Sequence, residues 1–152
     1  MTETAERPTA NVQRSTSKDE IRAVIRAKRK TLAPEWIEEK SELVQGVVQS
    51  LSEFREARAV CCYLALPDEV QTARILGACW DGGKEVCVPV YDKDADEYQL
   101  AWLKKGGELR EGKWGVSEPV DVVRAFIRDV DMIVVPGLAY DPAGNRLGYG
   151  KE

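Results

Sequence analysis

The sequence predicts an α/β domain built around a mostly parallel β-sheet. Two stretches with helical apolar spacing come first. From Ala59 onward, short apolar runs alternate with a further helical segment, and glycines and prolines punctuate the joints. In sheets of this kind ligands bind beyond the carboxyl ends of the strands. The segments Leu64 to Glu69, the turn after Pro89, and Pro136 to Lys151 therefore draw the search for a site.

Ser17-Lys18-Asp19-Glu20 has the S-x-x-E spacing of a capping box and starts the first helix. Ile21, Val24, Ile25 and Leu32 form its apolar stripe, and Arg22, Arg26, Arg29 and Lys30 cover much of the rest. Pro34 opens a second helix, where a missing N–H costs nothing. Ile37, Val44, Val47, Val48, Leu51 and Phe54 are its expected buried face. Ala59 to Leu66 is a continuous apolar run, as expected of a strand covered on both faces. Pro67-Asp68-Glu69 turns the chain, and Val70 to Trp80 predicts a helix closed by Gly82-Gly83. Val86 to Val90 is the next strand, and Tyr98 to Leu103 a shorter one nearer a sheet edge. Lys104 to Pro119 reads as a loop or hairpin, Val120 to Ile127 as one or two helical turns, and Met132 to Val135 as the last strand. Residues 1–16, rich in Thr, Ala and charge, read as a disordered leader, and residues 17–152 as a single domain.

A chain of 152 residues suffices for one hydrophobic core. Its net charge of -4 argues against a general nucleic-acid binder, which would carry a basic surplus. No apolar run is long enough to span a bilayer. The start carries Glu3 and Glu6 and no hydrophobic stretch, which argues against a secretion or organellar signal, so a cytoplasmic protein is expected. Cys61, Cys62, Cys79 and Cys87 form no C-x-x-C pair and are expected to be buried, reduced thiols. Cys61 and Cys62, adjacent in a strand, point to opposite faces. The chain has no histidine, which removes Ser-His-Asp and Cys-His catalysis and every histidine-ligated metal centre. Catalytic work then falls to Lys, Arg, carboxylates, Tyr, backbone dipoles or a bound cation.

The most informative segment runs from Pro136 to Lys151. It follows a buried strand and holds Gly137, Gly144, Gly148 and Gly150 together with Arg146 and Lys151. Glycines let backbone N–H groups converge on an anion, and the two cations add charge. The spacing is not that of a Walker A loop, because Gly144 to Gly150-Lys151 is one residue too long and Glu152 stands where a hydroxyl should be. Taken alone, such a loop is as often an ordinary connection as a phosphate cradle.

The order Asp131…Val134-Val135-Pro136-Gly137-Leu138-Ala139-Tyr140-Asp141…Gly144-Asn145-Arg146-Leu147-Gly148-Tyr149-Gly150-Lys151 resembles the signature of 5-formyltetrahydrofolate cyclo-ligases, also called methenyltetrahydrofolate synthetases. That family shows a strand, then P-G-L-A-[FY]-D, then G-x-R-L-G-x-G-K. Lys18-Asp19-Glu20-Ile21-Arg22 resembles the family's amino-terminal K-x-x-[LI]-R; on its own it reads as a solvated basic face. Tyr63 to Thr72 resembles the segment with E-[IV]-x-T, although a helix-start acid explains Glu69 alone equally well. Trp114-Gly115-Val116-Ser117-Glu118-Pro119 resembles the family's G-I-x-E-P turn, a structural feature with Trp114 near the pocket. Tyr91, Tyr98 and Trp102 are candidates to stack on a pterin, with core packing as the alternative for each.

The resemblance implies a three-layer α/β/α sandwich. In the family the loop continues from G-K into G-Y-Y-D and further elements, so the chain is expected to lack the family's carboxyl-terminal part. The implied activity is ATP- and Mg2+-dependent cyclisation of 5-formyltetrahydrofolate to 5,10-methenyltetrahydrofolate, with ADP and phosphate released. By the same resemblance Lys18, Arg22, Arg146 and the backbone of Leu147, Gly148, Tyr149 and Gly150 meet ATP. Lys151 is the catalytic group between ATP and the formyl group, and Leu64, Glu69, Tyr149, Gly150 and Lys151 meet the folate. Metal ligands are unassigned. The expected partner is the folate alone, with no nucleic acid and no membrane, on a monomer. The rival expectations are a truncated non-catalytic remnant, a weak folate- or nucleotide-binding domain, and a plain α/β interaction domain without a small ligand.

Overall fold

The capping box forms as the sequence specifies: the Ser17 hydroxyl accepts from the Glu20 N–H at 3.2 Å and the Glu20 carboxylate accepts from the Ser17 N–H at 2.7 Å. It opens α1 (Lys18–Arg29), the first element of a computed structural model that describes residues 17–150. The leader over 1–16 and Lys151 lie outside the described residues. The apolar stripe expected of α1 is not buried among the described residues: Ile21 and Val24 are exposed, and no residue of the helix is buried.

The second helix divides into α2 (Pro34–Ser50) and α3 (Ser52–Glu56), because Leu51 takes an extended conformation between them. Its expected buried face is also corrected. Val44, Val47 and Leu51 are exposed, whereas Ser41 and Gln45 are buried beside the partly buried Val48. The reason is polar. Ser41 Oγ accepts from the Gln71 N–H, and Gln45 Oε1 accepts from the Arg74 N–H, each at 2.9 Å. These bonds satisfy donors at the start of α4 (Ala73–Asp81), whose own N-cap residue Thr72 makes no side-chain cap bond. That helix therefore starts later than Val70.

Between them, β1 (Ala59–Cys62) is shorter than the apolar run that predicted it. Beyond Cys62 side chains claim the backbone groups: the Thr72 hydroxyl donates to the Tyr63 carbonyl, and the Leu66 N–H donates to Glu69. Then follow β2 (Glu85–Asp92), β3 (Glu97–Trp102), a hairpin of β4 (Leu109–Glu111) and β5 (Ser117–Pro119), β6 (Val123–Ala125), β7 (Met132–Val134), β8 (Ala139–Tyr140) and β9 (Arg146–Leu147). The hairpin agrees with the reading of 104–119. The helical turns expected over 120–127 do not form: Val123–Ala125 pairs antiparallel with β3, and only Ile127–Asp129 makes a 3-10 turn. The β-branched residues of that segment suit an edge strand, and β3 consequently lies one strand in from the edge.

The main sheet has the order β6-β3-β2-β1-β7. Its core is parallel, β1 pairing with both β2 and β7, and β3 and β6 add an antiparallel flank. Asp131 aligns β1 with β7, its carboxylate accepting from the Arg58 and Ala59 N–H groups at 2.7 and 3.0 Å. One sheet face, with Val60, Cys62, Val86, Val88 and Val90, packs under Phe54, Ile75, Leu76 and Cys79 of the helices. The opposite face gathers Cys61, Cys87 and Ala125 with Leu100, Trp102 and Val130. The described residues thus supply the expected α/β architecture, with α2, α3 and α4 packed over the Val60 face of the sheet. All four cysteines are buried and free, and Cys61 and Cys62 do lie on opposite faces. Among the described residues no helix is long and apolar enough to cross a membrane.

Candidate functional site

The parallel strands β1, β2 and β7 end at the same side of the sheet, and the segments leaving β1 and β7 border a cavity of about 830 Å³. Leu64 and Glu69 come from the segment after β1, Pro136, Arg146, Gly148, Tyr149 and Gly150 from the segment after β7, and Pro89 from the middle of β2, which stays paired with β3 as far as Asp92 instead of turning after Pro89. Arg26 of α1 closes one side, and Tyr98 and Trp114 another.

The glycine-rich segment is a small hairpin rather than an open loop. Asp141 organises its turn: the carboxylate accepts from the Asn145 backbone and side-chain amides, each at 2.8 Å, and these bonds hold the Asp141 carboxyl below the usual carboxylate range. Leu138 N–H donates to the Leu147 carbonyl at 2.8 Å, and Arg146 Nε to the Pro136 carbonyl at the same distance. Gly137 lets the Tyr140 ring lie close against the backbone, where a Cβ would come within 2.7 Å of it. Gly150, at φ 126°, turns the chain in a region that side chains disfavour.

Helix α1 attaches to this hairpin through its arginines. Arg22 Nε donates to the Gly148 carbonyl at 3.0 Å while its NH1 meets Asp19 at 2.7 Å; Arg26 donates to the Tyr149 carbonyl. Arg29 donates to the Tyr149 hydroxyl at 2.9 Å and to the Asp68 carbonyl through Nε and NH2. The Tyr149 hydroxyl in turn donates to Glu69 Oε1, and Glu69 Oε2 accepts from the Leu66 N–H at 2.9 Å. Burial works against the Arg29 charge, but Tyr149, Asp68 and Glu69 outweigh it and raise its pKa. Burial first, and then the Glu69 carboxylate, push the Tyr149 phenol up to about 12.

The cavity brings together Leu64, Glu69, Arg146, Gly148, Tyr149 and Gly150. Arg22 reaches the same hairpin from α1, and Leu147 stands within it as part of β9. Lys18 begins α1 and is exposed, and it is not among the residues lining the cavity. The expected catalytic Lys151 lies outside the described residues.

Arg26 and Arg29, which the sequence places only on the polar remainder of α1 and in no motif, also belong to the site. Their spacing with Arg22 along one helix is shared with any basic helix face and does not by itself single them out. Trp114 does border the cavity, exposed and at φ 62°, a conformation uncommon for a bulky residue. Tyr98 also lines the cavity and is half-exposed, with its ring edge-on to Tyr91 at 5.4 Å. Trp102 packs on the far sheet face instead. Within the neighbouring turn, Glu118 is buried and its carboxylate accepts from the Tyr91 N–H at 2.9 Å, in line with the structural role expected of that segment. No group of three or more acidic or thiol side chains able to hold a metal ion occurs among the described residues.

A sequence model of the 5-formyltetrahydrofolate cyclo-ligase family matches residues 14–151. A Schizosaccharomyces pombe protein described as a probable 5-formyltetrahydrofolate cyclo-ligase is 31% identical over 143 residues, covering 90% of this chain and 69% of its own length. A Mus musculus 5-formyltetrahydrofolate cyclo-ligase is 27% identical, with 93% of this chain and 73% of the relative covered. The solved structure of Aquifex aeolicus 5,10-methenyltetrahydrofolate synthetase superposes with a TM-score of 0.76 at 33% identity, over 89% of this chain and 68% of that one.

Proposed function

The chain belongs to the 5-formyltetrahydrofolate cyclo-ligase family, and on that premise we propose that its cavity converts 5-formyltetrahydrofolate to 5,10-methenyltetrahydrofolate at the expense of ATP. The observation that carries this reading is the convergence of three segments singled out by their motifs, around Arg22, Glu69 and Arg146 to Gly150, at one end of the parallel strands.

The formyl oxygen attacks the γ-phosphate of ATP, ADP leaves, and a phosphorylated imidate results. Nitrogen 10 of the folate then adds to the activated carbon and gives up its proton to water or the leaving phosphate, and phosphate departs with the former formyl oxygen as the ring closes. This chemistry asks for alignment and charge neutralisation more than for a strong base, which suits a chain without histidine. Arg22 and Arg146, with the backbone of Leu147 to Gly150, are assigned to the nucleotide. Leu64 and Glu69 are assigned to the folate, where the Glu69 carboxylate suits the adjacent ring and amino donors of a pterin. Tyr149 and Gly150 stand between the two. Lys18 and Lys151 complete the assignment by their motif positions alone. Mg2+ is assigned a place with the nucleotide phosphates, which commonly supply much of its coordination.

The test is the appearance of the methenyl chromophore with purified chain, 5-formyltetrahydrofolate and Mg-ATP. Product that depends on ATP and falls at least about tenfold in Glu69→Gln and in Arg146→Ala is expected. Turnover unaffected by both substitutions would show that the cavity is not the working site.

A further inference from the structure

We propose that Arg29 is a positioning residue for the folate end of the site, acting through Tyr149 to aim the Glu69 carboxylate. The inference rests on the folate reading of the cavity and assigns a role to a residue outside the motifs.

Arg29 does not line the 830 Å³ cavity that holds Glu69 and Tyr149. It lines a second, largely apolar cavity of about 350 Å³ that Glu69 and Tyr149 also line, so it meets those two side chains without bordering the larger cavity. Its side chain is only 11% exposed, although the helix that carries it buries no residue. Every donor group of the guanidinium is engaged across the site: NH1 on the Tyr149 hydroxyl, Nε and NH2 on the Asp68 carbonyl at 3.1 and 2.6 Å, and NH2 also 3.2 Å from the Asp68 carboxylate. One planar fork therefore fixes both the turn that carries Glu69 and the hairpin that carries Tyr149. Lysine, a point charge on a flexible stem, does not reproduce this geometry.

The bond from Arg29 occupies the Tyr149 oxygen as an acceptor and directs its proton at Glu69 Oε1. Glu69 Oε2 is fixed by the Leu66 N–H. A carboxylate has about four acceptor positions, so each oxygen keeps one free, held in a set direction for a ligand donor. Without Arg29 the Tyr149 hydroxyl is free to rotate, and the carboxylate loses its aim while keeping its charge.

The measurement is equilibrium binding of 5-formyltetrahydrofolate and, separately, of ATP to the whole chain, for wild type, Arg29→Met, Arg29→Lys, Tyr149→Phe and the double variant Arg29→Met/Tyr149→Phe. Arg29→Met is expected to weaken folate binding about tenfold and ATP binding less than about threefold, with Arg29→Lys restoring only part of the loss. The double variant is expected to bind folate no worse than Arg29→Met by more than about twofold, because both changes break one relay. A general loosening of the fold would instead weaken both ligands together, and that result overturns the proposal. Folate binding in folded Arg29→Met within about twofold of wild type overturns it too, as do additive single effects. If Arg29→Met does not fold, Arg29→Lys decides: folate binding equal to wild type overturns the inference. A wild-type chain that binds ATP but no folate removes the folate reading itself, and the inference with it.

Discussion

Gly112 and Glu118 illustrate how single positions tie the site's surroundings together. A Cβ at Gly112 would lie 2.2 Å from the Glu118 carboxyl carbon, and that carboxylate is buried and holds the Tyr91 amide. Gly112→Ala is expected to destabilise the fold by about 1–3 kcal/mol, as overpacking does, and to lower the urea midpoint accordingly. An unchanged midpoint would mean that the turn yields at no cost. At this scale the motif residues were legible in the sequence: Glu69, Arg146 and Tyr149 meet at one cavity. Arg26 and Arg29 were not, because a basic helix face and a set of arginines aimed at carbonyl oxygens have the same sequence pattern. Only the position of the carbonyl groups of Gly148, Tyr149 and Asp68 separates the two cases.

Among the elements, the β8–β9 hairpin depends most visibly on one ionised side chain. The Asp141 pKa is lowered by its bonds to Asn145, so its contribution is present above the ordinary value of 3.8 and is lost as pH falls through the lower folded value. Amide exchange of Gly144 to Leu147 is expected to accelerate, relative to the sheet, as pH is lowered below about 4, and Asp141→Ala to show that faster exchange at neutral pH. Equal protection of these amides in the variant would assign the hairpin's order to something else. The elements that depart from their sequence pattern have a common cause. Val44 and Val47 were assigned to the core by helical spacing, yet α2 buries Ser41 and Gln45 because the amides of Gln71 and Arg74 need acceptors. A short run of valines carries little periodicity, so residues 120–127 do not announce the strand Val123–Ala125, whose form is settled by its pairing partner in β3. Local pattern records apolarity; it does not record which distant backbone groups lack partners.

For the whole molecule, buried acids set the alkaline limit. Burial pushes the Cys62 thiol up to about 12 and the Cys79 thiol up to about 11, and burial with Glu69 pushes the Tyr149 phenol up to about 12. The folded chain keeps these protons over a range where the unfolded chain sheds them, so stability falls as pH rises from about 9 towards 12. Urea midpoints taken at successive pH values above about 8 are expected to decline; a flat series would show that water reaches these groups. The α/β class and the parallel core were legible because β1, β2 and β7 are continuous apolar runs, and the antiparallel flank was not, since pairing between β3 and β6 leaves no mark in either segment alone. The central position of β1 also has a consequence for synthesis. Its alignment with β7 is set by Asp131, which lies 73 positions after Arg58. At about 5–20 residues per second, β1 waits roughly 4–15 seconds on the ribosome with one edge unpaired. Its sequence, Ala-Val-Cys-Cys, carries no charge to repel another strand. What shields the nascent strand is the order of translation: α2 and α3 are already made when it emerges, and Val48 and Phe54 are ready to cover one of its faces.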